Sequence, residues 1–229
     1  YVFDSNAYSS LKQVKGYDWI KPDQINWYVE SSVGYTERNG GKPLPSLAFF
    51  HIPFPEYNEA AQDENALLIG TRKEKACAPL INTGLYAAML NAGDIMATFV
   101  GHDHVNDYVV DWKGILLCYG RFTGGNTVYH DIPGGNGARV IELTQGVRSF
   151  KTWERLEGGK IINEVNYPSD FQSKNNSQLG RIEVFSVPVL PVTRLFRHLL
   201  YINYCHSFIH PCRHSMDIVN NGRQGDRIL

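Results

Sequence analysis

The chain has 229 residues, 43% of them apolar and 20% charged, with 22 Lys+Arg against 23 Asp+Glu and a net charge of −1. That composition excludes wholesale disorder, and the balanced charge excludes a protein whose main task is to neutralise nucleic-acid backbones. No apolar run reaches the roughly 18 residues of a membrane-spanning helix, so neither nucleic acid nor membrane is an expected partner.

The chain opens on Tyr1-Val2-Phe3-Asp4-Ser5, a strand-like run with no initiator Met and no signal-peptide layout, and it is expected to start inside a domain. Pro22-Asp23-Gln24 marks a helix start, with Ile25, Tyr28, Val29 and Ser32 on one helical face. Leu47-Ala48-Phe49-Phe50 is a continuous apolar run, as expected for a strand covered on both faces. Leu85 to Gly93 reads as a helix closed by glycine, and Ile95–Val100 as a second buried strand. After Gly101 the pattern turns to short strands between Gly-rich turns: Tyr108–Trp112, Ile115–Tyr119, Arg139–Leu143 and Val147–Arg155. The expected fold is α/β, with stacked mixed β-sheets flanked by helices.

Residues 173–229 carry seven Lys/Arg and three acids, whereas 1–172 is net acidic. This shift places a boundary near Phe171, with Gln172 to Gln178 as linker: 1–171 as the domain and 172–229 as a divergent, poorly ordered tail. The four cysteines, Cys77, Cys118, Cys205 and Cys212, are too few and scattered for a disulfide framework. Cys205, His206, His210, Cys212 and His214 have ligand chemistry suited to zinc but match no standard spacing, so a loosely packed extension is the alternative.

Two strands end in histidine. Phe99-Val100-Gly101-His102-Asp103-His104 delivers two imidazoles just after a glycine that permits a sharp turn. Phe49-Phe50-His51-Ile52-Pro53 delivers a third, and Pro53 stops the strand. Taken singly, each is as well explained by a solvated turn or a hydrogen-bonded strand end. Together, with a helix between the strands, they place His51, His102 and His104 at one carboxyl edge of a parallel sheet, where ligand sites form. Imidazoles converging there suit Zn, Fe or Mn.

The ordered set Tyr17-Asp18-Trp19, His51-Ile52-Pro53-Phe54-Pro55-Glu56-Tyr57, Gly101-His102-Asp103-His104-Val105-Asn106-Asp107 and Cys118-Tyr119-Gly120-Arg121-Phe122 resembles the calcineurin-like metallophosphoesterases. Within them it is most similar to the plant and fungal purple-acid-phosphatase-related proteins, over roughly residues 1–170. The resemblance implies a phosphoesterase that uses two metal ions (Fe, Zn or Mn) to activate water for hydrolysis of a phosphate ester. It makes His51 and His102 ligands of one metal and His104 a ligand of the other. The family's earlier signatures, which supply the bridging carboxylate and an asparagine ligand, are not found, so this chain is expected to be the C-terminal part of the domain. A secreted or vacuolar location is also implied by resemblance alone. The alternatives are a non-catalytic remnant of that fold and an interaction module built on the Cys/His tail.

Other residues near these motifs remain open. Asp103, Asn106 and Asp107 either orient a ligand or serve structure. Glu56 and Tyr57 either reach the mouth of the site or cap and cover. Arg121 is a candidate phosphate contact, and the alternative is that its neighbouring glycines simply permit a tight turn. The glycine run lacks phosphate-loop spacing. His130 is expected to face solvent or a neighbour.

Overall fold

The computed structural model describes residues 1–125, 129–175 and 197–202. Helices α1 (Pro22–Arg38), α2 (Glu56–Gln62) and α3 (Leu85–Ala92) are interleaved with β1 (Ser46–Phe49), β2 (Leu68–Ile69) and β3 (Ile95–Val100). Six strands and one helix follow: β4 (Val109–Trp112), β5 (Ile115–Tyr119), β6 (Gly137–Thr144), β7 (Phe150–Leu156), β8 (Ile161–Tyr167), α4 (Ser169–Asn175) and β9 (Arg197–Ile202).

The first sheet has the order β1-β3-β5-β4-β2. Its β1, β3 and β5 run parallel, and β4 and β2 are antiparallel additions. The second sheet, β8-β7-β6-β9, is antiparallel throughout. Alternation along β5 shows how the layers form. Ile115, Leu117 and Tyr119 face the helix-side core, and Leu116 and Cys118 face the core between the sheets. Strands buried on both faces are near-continuously apolar, and all six residues of β3 are buried, Thr98 being its polar member. The result is the expected α/β sandwich of stacked sheets flanked by helices, compatible with a metallophosphoesterase-type fold.

Local chemistry explains the elements that position the site. Proline at the start of α1 and Asp23 in its first turn suit a helix N-terminus. The helix is pinned to the start of β3 by Asp94, which accepts the Tyr28 hydroxyl at 2.5 Å, the Ser32 hydroxyl at 2.9 Å and the Tyr1 hydroxyl at 3.1 Å. Gly93 ends α3 in the left-handed conformation, φ 68°, and its N–H returns to the Met89 carbonyl.

Several expectations are revised. Residues 1–5 contribute a single parallel bridge, Val2 to Phe49, rather than a strand. Val29 is 40% exposed and lies off the buried stripe of α1, which is formed by Tyr28 and Ser32. The stretch read as a linker begins inside α4, and Phe171, the last residue assigned to the domain, is buried in the inter-sheet core. Residues 197–202 of the tail pair with β6. Residues 176–196 and 203–229, including Cys205, His206, His210, Cys212 and His214, lie outside the described residues. Among the described residues no helix is long and apolar enough to cross a membrane.

Candidate functional site

The carboxyl ends of β1, β3 and β5 lie side by side. Their ladder continues past the strands through Gly101 N–H to the His51 carbonyl (3.1 Å) and Gly120 N–H to the Val100 carbonyl (2.7 Å). This brings His51, Gly101-His102 and Gly120 to one rim. An open cleft of about 340 Å³ there is lined by His51, His102, His104, Arg121 and Phe122, among others. The structure therefore brings the three singled-out histidines together.

His102 Nδ1 and His51 Nε2 are 3.3 Å apart. Such a pair either shares one proton or turns two lone pairs toward one cation. His102 sits at φ 75°, a left-handed conformation uncommon for histidine and one that persists only where surrounding structure enforces it. The turn after Gly101 thus holds the ring against His51, and the edge of the Tyr17 ring packs on its other side, 4.4 Å between centroids.

His104 is held differently. Its Nδ1 lies 3.0 Å from the Tyr129 carbonyl, which can only accept, so Nδ1 carries the proton and Nε2 keeps its lone pair. The ring is sandwiched between Phe122 (4.9 Å) and Tyr129 (4.8 Å). Burial pushes its pKa down, opposed by the Tyr129 carbonyl and aided by His130. His130 itself stacks on the far side of Phe122.

Burial, then the neighbouring His51 and His104, push His102 from 6.5 down to about 3. A neutral imidazole is the form that binds transition metals, so this donor set fits such an ion. Because the folded-state value is depressed, the stability contributed by neutral His102 is complete above about 6.5 and is lost as pH falls toward 3. Asp103 runs the other way. Burial raises it from 3.8 to about 7 despite hydrogen bonds from Tyr119 and Cys77, so its contribution is complete below 3.8 and lost as pH rises through 7. Overall stability therefore mixes two opposite trends, and a residue-resolved readout is needed. In nitrogen NMR of the metal-free chain, the His102 ring is expected to remain neutral at pH values where an exposed histidine is already charged. Titration of His102 near 6.5 would contradict this.

The open assignments resolve toward structure. Asp103 accepts the Tyr119 hydroxyl at 2.6 Å and the Cys77 N–H at 3.1 Å. Asn106 accepts the N–H groups of Lys73 and Glu74, and Asp107 accepts the Thr71 N–H. These three side chains tie the segment 71–77 to the histidine turn. Arg121 is fully buried and directs its guanidinium to Asp107 and to the carbonyls of Pro133 and Gly135, so it is not available as a phosphate contact. Tyr57 is fully buried in the core, with its hydroxyl 2.8 Å from Thr98 Oγ1, rather than at the cleft. Glu56 opens α2, is buried, and accepts from Asn82. Neither reaches the mouth of the site. Among the described residues, no group of three or more His, Cys, Asp or Glu is arranged around one metal position. Tyr17, Glu74 and Tyr129 were not singled out from the sequence for roles at the histidines. They come from remote segments, and only Tyr17 lay within a motif of the resemblance.

Comparison with known proteins supports the resemblance. The chain is 36% identical over 175 residues to probable inactive purple acid phosphatase 29 of Arabidopsis thaliana, a match spanning 69% of this chain and 43% of that protein. It is 31% identical over 176 residues to probable inactive purple acid phosphatase 14 of the same plant, covering 69% and 42%. It is 36% identical over 171 residues to phosphatase DCR2 of Saccharomyces cerevisiae, covering 69% and 28%. The chain belongs among the relatives of the purple acid phosphatases. No protein-family model matches it. The chain spans less than half the length of these curated relatives. As a purple-acid-phosphatase relative it is part of a phosphatase-related group in which several members carry the word inactive in their names.

Proposed function

We propose that this chain is part of a metal-dependent phosphoesterase, in which His51 and His102 hold one metal ion and His104 holds a second. The observation that carries this reading is the approach of His51 and His102, two ring nitrogens 3.3 Å apart at the ends of adjacent parallel strands, with His104 on the same cleft. The chemistry of the donors supports it further: His102 is kept neutral by burial, and His104 is fixed with Nε2 unprotonated. When bound, two such ions withdraw charge from a phosphoryl group and lower the pKa of a nearby water toward about 7. The residues of this chain then hold and orient. His51 and His102 set one position from two strands, and the Phe122–Tyr129 sandwich fixes the plane of His104. The substrate class is a phosphate ester.

A second reading, a non-catalytic member that keeps the fold, is favoured by two observations. Three of the relatives carry the description probable inactive, and among the described residues no three ligating side chains surround one point.

Metal content separates the two. Purified protein loaded with Zn, Mn or Fe and dialysed is expected to retain metal, and His51→Ala, His102→Ala and His104→Ala are each expected to lower its content by up to one equivalent. A triple-alanine variant that folds and binds as much metal as the parent would overturn the assignment, and a parent that retains none would favour the non-catalytic reading.

A further inference from the structure

His104 is linked through Tyr129 to Glu74, 30 positions earlier in the chain. The Tyr129 carbonyl accepts from His104 Nδ1 at 3.0 Å, the Tyr129 ring stacks on the imidazole at 4.8 Å and 21°, and the Tyr129 hydroxyl donates to Glu74 Oε1 at 2.8 Å. Tyr129 is thus gripped at both ends. Glu74 is itself fixed by the turn that carries the histidines. Its N–H donates to Asn106 Oδ1 at 3.2 Å, and its carbonyl accepts from Asn106 Nδ2 at 3.1 Å. The adjacent Lys73 adds a tie to the segment that bears Tyr129, with Nζ 2.6 Å from the Asp131 carbonyl and 2.8 Å from its carboxylate. The contacts close a ring: histidine turn, Asn106, Glu74, Tyr129, and back to His104.

We propose that Glu74 is a positioning residue, holding Tyr129 so that its carbonyl selects the Nδ1–H form of His104 and leaves Nε2 facing the cleft as the ligating nitrogen. The tautomer half of this inference stands on the hydrogen bonds alone, and its consequence for metal rests on the proposed ligand role of His104. Outer partners that fix the tautomer of a ligating histidine also raise its basicity, and their loss typically costs about 10–100-fold in metal affinity. Glu74 does not line the histidine cleft and reaches His104 through Tyr129.

The test uses the whole protein in two stages. Long-range proton–nitrogen spectra of the metal-free protein, labelled in histidine, report which nitrogen of His104 is protonated. The parent is expected to show Nδ1–H. Glu74→Ala and Tyr129→Phe are expected to shift the ring toward the Nε2–H form or a mixture, and Glu74→Gln, which keeps an acceptor oxygen, to restore the parent form. Tyr129→Phe removes one oxygen and leaves the stacked ring, so it serves even where Glu74→Ala fails to fold. A tautomer unchanged in Tyr129→Phe overturns the positioning role. Zinc titration follows, with a loss of about 10–100-fold expected for Glu74→Ala and Tyr129→Phe and near-parent affinity for Glu74→Gln. A shifted tautomer with unchanged zinc affinity leaves the positioning role standing and overturns His104 as a ligand.

Discussion

Assayed with a generic aryl phosphate and added Zn, Mn or Fe, this chain by itself is expected to turn over little substrate. The physical reason lies in the acids around the histidines. A two-metal site needs carboxylate oxygen to hold its ions about 3.5–4 Å apart. The acids beside the imidazoles are already engaged: Asp103 with Tyr119 and Cys77, and Asp107 with Arg121 and Thr71. On the proposed assignment the imidazoles would supply two donors to one ion and one to the other, fewer than the three protein ligands usual at catalytic zinc. The curated relatives extend well beyond the matched region. Where turnover is measurable, His102→Ala is expected to cut the rate by at least about 100-fold, since losing a residue that merely orients a ligand already costs about 10–100-fold. Strong turnover by the short chain, abolished by His102→Ala, would mean that its own residues complete the site. Turnover that survives His102→Ala would remove His102 from the chemistry.

The largest expected effect on stability is at Arg139. Its side chain is fully buried between the two sheets and reaches from β6 toward the site. It donates through Nε to the Tyr119 carbonyl at 2.5 Å, through Nη2 to the Asp107 carbonyl at 2.6 Å, and through Nη1 to Thr152 Oγ1 at 3.2 Å. Nη2 also lies 2.5 Å from Glu154 Oε1, and Glu154 is fully buried too. That approach has the distance of an ion pair but not hydrogen-bond alignment, since neither Glu154 oxygen has a hydrogen-bond partner among the described residues. Desolvation therefore outweighs the arginine and holds the Glu154 carboxyl up at about 7. Arg139→Met leaves that carboxyl without its nearest counter-charge and takes a donor from each of two carbonyls. The expected loss is about 3–5 kcal/mol, the usual cost of breaking a buried pair from one side. Combining it with Glu154→Leu is expected to recover much of the loss, because replacing both partners by apolar groups is often neutral. Denaturant midpoints of the two single variants and the double variant decide the matter. Additive losses would show that Arg139 acts through its carbonyl contacts and not through Glu154.

Arg139 also shows where sequence reasoning stops. Its position in a strand was legible from the apolar run around it, but nothing in the run says that a guanidinium is buried there as a clamp. The same holds for Arg121, which looked like a phosphate contact beside a glycine turn and proves to be a buried tie to Asp107. A charged side chain is usually read as surface or as function. Whether it is neither depends on carbonyls and carboxylates that arrive from distant segments, and no local window contains them.

What the sequence determined by itself was the frame and the histidines. Ile95–Val100 and Ile115–Tyr119 were recoverable to the residue, because a strand buried on both faces is apolar at nearly every position, Thr98 being the polar one in β3, and that constraint is local. The histidines were recoverable because each follows such a strand, and parallel strands joined by a helix end on the same side of a sheet. Tertiary structure alone decided the rest. It placed β2 and β8 by pairing, turned Glu56 and Tyr57 into a buried helix start, and gave Asp103, Asn106 and Asp107 to the segment 71–77. It also chose the tautomer of His104, through a carbonyl 25 residues away and a carboxylate 30 residues back. Hydrogen bonds between segments far apart in the chain leave no periodic trace in sequence, since each requires only one polar atom at one place and many residue types supply it.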